Sequence, residues 1–286
     1  MTGKNWPVVL EYAESIRDGR KIACTELRQA VERFFNDLDN ADYDFDSTGP
    51  EFCIQIIEKT ICHQQGERLD GTPLRGSPFL LEPFHKFIIY NLLGFKLAGS
   101  DIVRFHEALI FIPRKNIKTS FAAALAWALS LWYRRSGSKT YITSAALMQS
   151  LESFNFLDYN IKRMGEDEKD GGHFHIIDNN NEHSIEADMG DGSIFIRALA
   201  ANPDTQDSLN CNIAICDEIH AFKQPKQYNL FKEAMKAYTN KLLIGISTAG
   251  DNEQLFLGQR LKYCRKILDG TVKDEQYFVF MCCAPE

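Results

Sequence analysis

The chain has 286 residues, of which 44% are hydrophobic and 25% charged, proportions typical of a folded globular protein of one or two domains. Its 32 Lys and Arg against 39 Asp and Glu leave a net charge of −7, which excludes a uniformly basic nucleic-acid-binding surface but permits a local basic patch. No secretory signal and no apolar run of the roughly 20 residues that span a membrane is present. We therefore expect no membrane association, and we expect the eight cysteines to be free thiols of a reducing compartment.

Residues 1–78 predict a helical N-terminal segment that ends in a linker. Apolar side chains recur at helical spacing over 8–37, and a second helix fits 52–62. Between them, the acidic stretch 37–46 lacks the central Gly and final Glu of a calcium loop, so we interpret it as a solvated connector. Residues 66–78 contain three Gly and two Pro, which is typical of a linker.

Strands and helices alternate over residues 79–286, which we expect to form the second domain. Strands are predicted at 108–112, 139–143, 173–177, 184–187, 193–198, 212–216, 242–247 and 276–282. Helices are predicted at 118–133, 145–164, 228–238 and 253–268. This alternation predicts an α/β fold with a mostly parallel sheet flanked by helices.

Residues 112–120, with the sequence IPRKNIKTS, lie between a predicted buried strand and an alanine-rich helix. A phosphate-binding loop occupies this position, because its backbone N–H groups and the helix N-terminus face an anion together. In that interpretation Lys118 contacts the outer phosphates and Thr119 holds Mg²⁺. Ile112 and Ile117 replace both glycines of the general pattern GxxxxGK[ST]. From this segment alone, a basic helix N-terminus without a ligand remains an equal alternative.

Polar residues also follow two other predicted buried strands. The strand 212–216 is followed by Asp217 and Glu218, at the kind of strand end where open α/β sheets bind ligands. Asp217 is suited to hold Mg²⁺ through water and Glu218 to polarise an attacking water; an acidic helix cap is the alternative. The next strand along the chain runs into Ser247 and Thr248, which either sense a γ-phosphate or cap a helix and turn.

With these segments in place, the chain resembles the large subunit of tailed-phage terminases, the motor that packages viral DNA. The resemblance covers most of the chain. It is carried by five segments: an N-terminal helical segment at 12–24, an adenine-side motif at 81–95, a Walker A at 113–119, a Walker B (DEIH) at 217–220 and a coupling motif (STAG) at 247–250.

The resemblance implies a P-loop NTPase fold of the additional-strand, catalytic-glutamate type, with ATP and Mg²⁺ as cofactors. It implies nucleotide contacts from Pro113, Arg114, Lys115, Asn116, Ile117, Lys118, Thr119, Ser120 and His85. It assigns catalysis to Glu218, Lys118 and Arg114, Mg²⁺ binding to Thr119 and Asp217, and coupling of hydrolysis to movement to Ser247 and Thr248. The chain departs from the family at His85, which replaces the usual Gln, and at Ile117, which replaces the usual Gly.

The implied function is an ATPase motor that moves double-stranded DNA into a procapsid. The implied partners are DNA, the portal protein and the terminase small subunit. A homo-oligomeric ring in the host cytoplasm, transiently at the procapsid portal, is implied as well. The acidic residues after position 250 are scattered, so we expect no nuclease activity in this polypeptide.

Two other functions remain open. The string DEIH at 217–220 matches a helicase of the DExH type, and the departures at His85 and Ile117 fit a nucleotide-binding or docking fragment without turnover. Four basic residues on the last predicted helix form either a DNA-facing patch or a solvated helix face: Arg260, Lys262, Arg265 and Lys266.

Overall fold

The computed structural model describes residues 3–114, 116–202, 209–250 and 255–283. Within these ranges the strands are β1 (Tyr43–Phe45), β2 (Phe95–Leu97), β3 (Glu107–Phe111), β4 (Ser138–Ser144), β5 (His175–Asp178), β6 (His183–Asp188), β7 (Ser193–Ala200), β8 (Ile213–Asp217), β9 (Leu242–Ser247) and β10 (Tyr277–Met281). The α-helices are α1 (Trp6–Arg17), α2 (Thr25–Leu38), α3 (Thr48–Thr60), α4 (Pro83–Gly94), α5 (Lys118–Trp132), α6 (Leu147–Met164), α7 (Pro225–Ala234) and α8 (Phe256–Leu268). The predicted strands and helices are present with shifted ends, except that the helical stretch predicted over 8–37 is divided into α1 and α2. The elements α4, β1 and β2 were not predicted.

An eight-stranded sheet in the order β10-β3-β9-β8-β4-β7-β6-β5 forms the centre of the molecule. Neighbouring strands from β10 to β7 are parallel, and β6 and β5 continue the sheet as antiparallel strands. Every residue of β3, β8 and β9 is buried, as expected for parallel strands that are covered on both faces. Since β9 lies between β3 and β8, the additional-strand arrangement is confirmed.

The helices cover the two faces of the sheet unequally. One core unites the N-terminal helices with α4, α5 and α6 against one face, and a second core lies beneath α7 and α8 on the other. The helix α5 is buried along nearly its whole length, because it is wedged between the sheet and α3. Its small alanine side chains permit that close packing. No helix in the described ranges combines the length and the apolar character needed to cross a bilayer.

A buried ion-pair network joins the N-terminal segment to the edge strand β10. Arg104 is only 2% exposed; its guanidinium pairs with Asp37 of α2 and lies 2.7 Å from Glu275 Oε2, just before β10. The ring of Tyr43 stacks 3.9 Å from the same guanidinium. Burial raises the pKa of the Asp37 carboxyl despite its charged partner. The first helices are therefore fastened to the sheet by charge as well as by apolar packing.

Candidate functional site

The segments singled out from the sequence meet at one edge of the sheet. The loop after β3, the acidic pair at the end of β8 and Ser247 at the end of β9 all lie at carboxyl ends of adjacent parallel strands. The β9 strand sits between the other two, and its residue Ile246 is in register with Asp217. This is the edge at which open α/β sheets bind ligands.

Thr119 and Asp217 form the direct contact between the loop side and the acidic side. Thr119 Oγ1, in the first turn of α5, donates to Asp217 Oδ2 at 3.1 Å. The backbone N–H of Glu218 donates to the other carboxylate oxygen at 2.9 Å. Burial, with Glu218 as a second negative charge nearby, raises the pKa of Asp217 to about 6. A hydroxyl beside a buried carboxylate is a donor set that fits Mg²⁺, and a cation would offset the cost of burying that charge.

Lys118 and Glu218 face each other across the same corner. Lys118 is 7% exposed, and its Nζ lies 3.8 Å from Glu218 Oε1. Glu218 itself has φ 53° and ψ 47°, a left-handed conformation that is uncommon outside glycine. This kink turns the chain from β8 into the 3₁₀ turn Ile219–Ala221. Backbone strain of this kind is characteristic of sites where a side chain must be aimed.

The loop residue Ile117 adopts the conformation that the Gly of the general pattern would supply. Its backbone has φ 53° and ψ 33°, and among the described residues no side chain caps the N-terminus of α5. The first N–H groups of that helix therefore lack side-chain acceptors, as an anion-binding helix start requires. A β-branched side chain in this conformation is strained, and the Ile117 side chain is 48% exposed rather than packed.

The rest of the loop is largely exposed. Pro113, Arg114 and Asn116 are exposed and Ser120 is half-buried. The Asn116 side chain donates back to the carbonyl of Pro113 at 3.1 Å, which tightens the loop. Lys115, which was predicted to contact nucleotide, lies outside the described residues.

A cavity of about 690 Å³ opens beside this loop, against the opposite face of the sheet from α5. Arg114, Lys262 and Arg265 supply positive charge to its lining, and Leu257 and Leu261 of α8 supply apolar surface. Its lining does not include Lys118, Thr119 or Asp217. The cavity is therefore a neighbour of the Thr119–Asp217 corner and not the corner itself.

His220 links the acidic pair to the end of β9, a connection that the sequence did not reveal. Its backbone N–H donates to Ser247 Oγ at 3.1 Å, and its Nδ1 lies 3.2 Å from that hydroxyl oxygen. The same Nδ1 is 2.9 Å from Glu218 Oε2. Ser247 and Thr248 are both buried, and Ser247 Oγ donates to the carbonyl of Thr248 at 3.1 Å. The His220 imidazole therefore connects Ser247 at the end of β9 with the Glu218 carboxylate, so that a displacement of one would move the other.

His85 is buried beneath α5 rather than in the loop. It is 3% exposed, its Nδ1 accepts a hydrogen bond from the backbone N–H of Glu82 at 3.2 Å, and its ring lies 4.3 Å from that of Phe121. Burial lowers the pKa of His85 to about 3, so the imidazole is neutral at pH 7. Its Nε2 is buried without a hydrogen-bond partner among the described residues. Contact between His85 and a base remains a prediction.

The four basic residues of α8 do not form one surface patch. Arg260 is turned inward, where it pairs with Glu107 at 3.1 Å, because its helix position faces the sheet. Lys262, Lys266 and Arg265 remain exposed. Lys262 and Lys266 are available to a polyanion, whereas Arg265 pairs with Glu26 at 2.8 Å, so the interpretation that included Arg260 is wrong.

A second group of potential metal ligands lies at the end of β10. Cys24, Glu26 and Cys283 have ligand atoms within 4.8 Å of one another. Two of these are already engaged, since Cys24 Sγ donates to the carbonyl of Met281 at 3.3 Å and Arg265 Nε donates to Glu26 at 2.8 Å. All eight cysteines are free thiols, and six of them are buried, as predicted.

The chain is similar to phage large terminases in sequence and in structure. The family model described as terminase large subunit, ATPase domain, matches residues 83–266, more than half of the chain. The crystal structure of the HK97 bacteriophage large terminase is similar at a TM-score of 0.60 and 22% identity, over 83% of this chain and 44% of that one. The ATPase domain of the Thermus phage P74-26 large terminase gives a TM-score of 0.41 and 17% identity, over 60% and 72%. A comparison with curated proteins gives no match.

Of these two structural matches, one supports the assignment of the fold. The HK97 terminase supports the fold, and this chain spans less than half of its length; the P74-26 domain is too distant to add to that argument. The family model covers the loop 112–120, the acidic pair Asp217 and Glu218, and the end of β9 in one match. The chain therefore belongs to the terminase large subunits and contains their ATPase domain.

Proposed function

We propose that this chain is the motor module of a phage DNA-packaging terminase, which couples ATP hydrolysis to the movement of double-stranded DNA into a procapsid. The observation that carries the proposal is the contact between Thr119 and Asp217 at 3.1 Å. It joins the start of a phosphate-binding helix to an acidic strand end, with Lys118 and Glu218 beside it. That set of groups is what phosphoryl transfer to water requires.

The side chains divide the chemistry among themselves. Thr119 and Asp217 would hold Mg²⁺, which when bound neutralises charge on the outer phosphates. Lys118, held at the first position of α5, would contact the β- and γ-phosphates. Glu218 would orient the attacking water and accept its proton on a carboxylate oxygen. Arg114, exposed at the loop, would respond to the γ-phosphate.

Coupling would run through the hydrogen bonds between β8 and β9. Loss of the γ-phosphate changes the charge that faces Glu218, and Glu218 Oε2 lies 2.9 Å from His220 Nδ1. His220 in turn is bonded to Ser247, at the end of the strand that leads towards α8. The exposed cations Lys262 and Lys266 on α8 are then candidates to contact the DNA backbone.

The module would work together with DNA and with other proteins of the packaging machinery. Its partners would be double-stranded DNA, the portal protein, the terminase small subunit and further copies of the chain in a ring, in the host cytoplasm and at the procapsid portal.

In the described part of the chain, the one group of three potential metal ligands contains a single carboxylate. We therefore propose that this polypeptide has no nuclease activity, which needs several convergent carboxylates.

The backbone of Ile117 favours one alternative function. A β-branched residue held at φ 53° is a strained element of the loop, which would suit a nucleotide-binding fragment that has lost turnover. ATP binding by calorimetry, together with turnover at high protein concentration with Mg²⁺ and with or without double-stranded DNA, separates the two. Turnover that DNA stimulates supports the motor; binding without turnover supports the fragment. Strand separation of a duplex would instead indicate a helicase.

A further inference from the structure

Ser144 ends β4, the strand that lies beside β8 on the side away from the phosphate loop. The parallel register pairs Thr143 with Cys216, so Ser144 is level with Asp217. Residues in register on neighbouring strands point to the same face of a sheet. Two contacts identify that face as the one under α5. Ser130 of α5 shares a hydrogen bond with Thr140, and Thr140 lies on the same face of β4 as Ser144, four residues further along. Thr119 of α5 donates a hydrogen bond to Asp217.

The hydroxyl of Ser144 is buried without a partner. The residue is 0% exposed, and within the described ranges its Oγ has no hydrogen-bond partner. A buried hydroxyl in that state costs folding free energy, about 1–3 kcal/mol. Native proteins retain few such groups, and those that persist often serve a function. Adjacent strands are separated by about 4.8 Å, a spacing at which one water molecule can bridge two side-chain oxygens.

We propose that Ser144 is a positioning residue for ATP hydrolysis. In the site filled with Mg²⁺ and nucleotide, its hydroxyl hydrogen-bonds a water that it shares with the Asp217 carboxylate, and it thereby holds that carboxylate in its metal-binding orientation. The inference rests on the proposed function, because it assigns Ser144 a role in the same site.

Thr143 provides a matched control. It is also 0% exposed and its Oγ1 is also buried without a partner in the described structure. Its neighbour in register, Cys216, belongs to the core under α7 and α8, so Thr143 faces away from Asp217. The variants Ser144→Ala and Thr143→Val each remove one unpartnered hydroxyl from the end of β4, but only the first removes it from the face that carries Asp217.

The test compares these two variants with the wild-type chain. We expect Ser144→Ala to lower kcat about tenfold with KM for ATP changed less than twofold, and to raise the Mg²⁺ concentration needed for half-maximal turnover. We expect Thr143→Val to keep both values. The thermal midpoint of each ligand-free variant should equal or exceed that of wild type, because an unpaired buried hydroxyl is removed. Wild-type turnover in Ser144→Ala, or an equal loss in Thr143→Val, would overturn the proposal.

A wild-type chain that binds ATP without turning it over would defeat the proposed motor function and leave Ser144 testable. Calorimetry with ATP then compares affinity in Mg²⁺ and in EDTA. The proposal predicts that Ser144→Ala loses most of the gain in affinity that Mg²⁺ provides while its affinity in EDTA matches wild type. An unchanged gain would overturn it. A chain that binds no nucleotide in Mg²⁺ would overturn both proposals together.

Discussion

Thr119 Oγ1 and Asp217 Oδ2 are 3.1 Å apart, and this hydrogen bond joins the first turn of α5 to the end of β8. The carboxylate it reaches is 2% exposed, and burial raises its pKa to about 6 from an ordinary 3.8. The arrangement keeps a negative charge in a place that is unfavourable until a cation arrives. Without a bound cation, the ionised Asp217 carboxylate is therefore expected to lower the free energy of unfolding of the chain.

The cost of burying the ionised Asp217 carboxylate predicts that the effect of Asp217→Asn on the free energy of unfolding depends on pH. Because the pKa is higher in the folded chain than in the unfolded one, ionised Asp217 destabilises the fold above pH 6, and the penalty vanishes below about pH 4. In EDTA at pH 8, Asp217→Asn should raise the free energy of unfolding by on the order of 2–3 kcal/mol, and the gain should shrink towards pH 4. Urea unfolding across this range measures it. A gain independent of pH would contradict the explanation.

Replacing Ile117 with glycine should raise the free energy of unfolding. The left-handed backbone costs a non-glycine residue about 1–2 kcal/mol of folding free energy. Glycine avoids this cost but loses more conformational freedom on folding, which lowers stability by about 0.5–1 kcal/mol. Ile117→Gly should therefore stabilise the chain by about 0.5–1 kcal/mol in urea unfolding, since little burial is lost at a half-exposed position. Ile117→Val keeps the branched Cβ and should give no gain. A glycine variant less stable than the valine variant would show that the conformation is not strained.

The buried Arg104–Asp37 pair should matter far more than an exposed pair. Arg104→Met leaves the buried Asp37 carboxylate without its partner and should cost about 3–5 kcal/mol in unfolding free energy. Adding Asp37→Asn removes the stranded charge and should recover part of that loss. Arg134→Met breaks the exposed contact between Arg134 and Asp191 at 2.6 Å and should cost less than about 1 kcal/mol. Equal losses for Arg104→Met and Arg134→Met would contradict the assignment of this network as the fastening of the N-terminal helices.

Ser247 should separate basal from DNA-stimulated turnover. Ser247→Ala removes the hydroxyl that His220 bonds but leaves Thr119, Asp217 and Glu218 in place. We expect basal ATP hydrolysis within about threefold of wild type and a loss of most of the DNA stimulation, since the proposed coupling passes through this bond. Steady-state assays with and without double-stranded DNA provide the comparison. Stimulation retained in full would exclude Ser247 from the coupling route.

Strong local patterns predicted the sheet, whereas the roles of Thr119 and Asp217 followed from the resemblance to the terminase large subunits, because the loop 112–120 lacks both glycines of the general pattern. Buried apolar runs identified strands such as β8 and β9, and parallel alternation alone requires their carboxyl ends to meet. The helix α4 was missed because nine of its 12 residues are buried, which leaves no amphipathic period to detect. A helix enclosed on all sides and a buried strand give similar apolar runs in a sequence.

Features that depend on neighbouring strands could not be predicted from the sequence. The contact between His220 and Ser247 requires β8 and β9 to be adjacent, and the level placement of Ser144 and Asp217 requires β4 on the other side. Arg260 was misplaced because charge alone does not tell which side of α8 faces the sheet; its partner Glu107 lies far away in the chain. Tertiary pairing, rather than local preference, decided these positions.

In the proposed mechanism the Glu218 carboxylate, whose Oε1 lies 3.8 Å from Lys118 Nζ, activates the attacking water. ATP hydrolysis with Mg²⁺ and double-stranded DNA should be measured for wild type, for Glu218→Gln and for the control Glu186→Gln, whose side chain is exposed on β6. We expect Glu218→Gln to lower kcat by about 100-fold or more with ATP affinity retained, and Glu186→Gln to match wild type. Wild-type turnover in Glu218→Gln would contradict the mechanism.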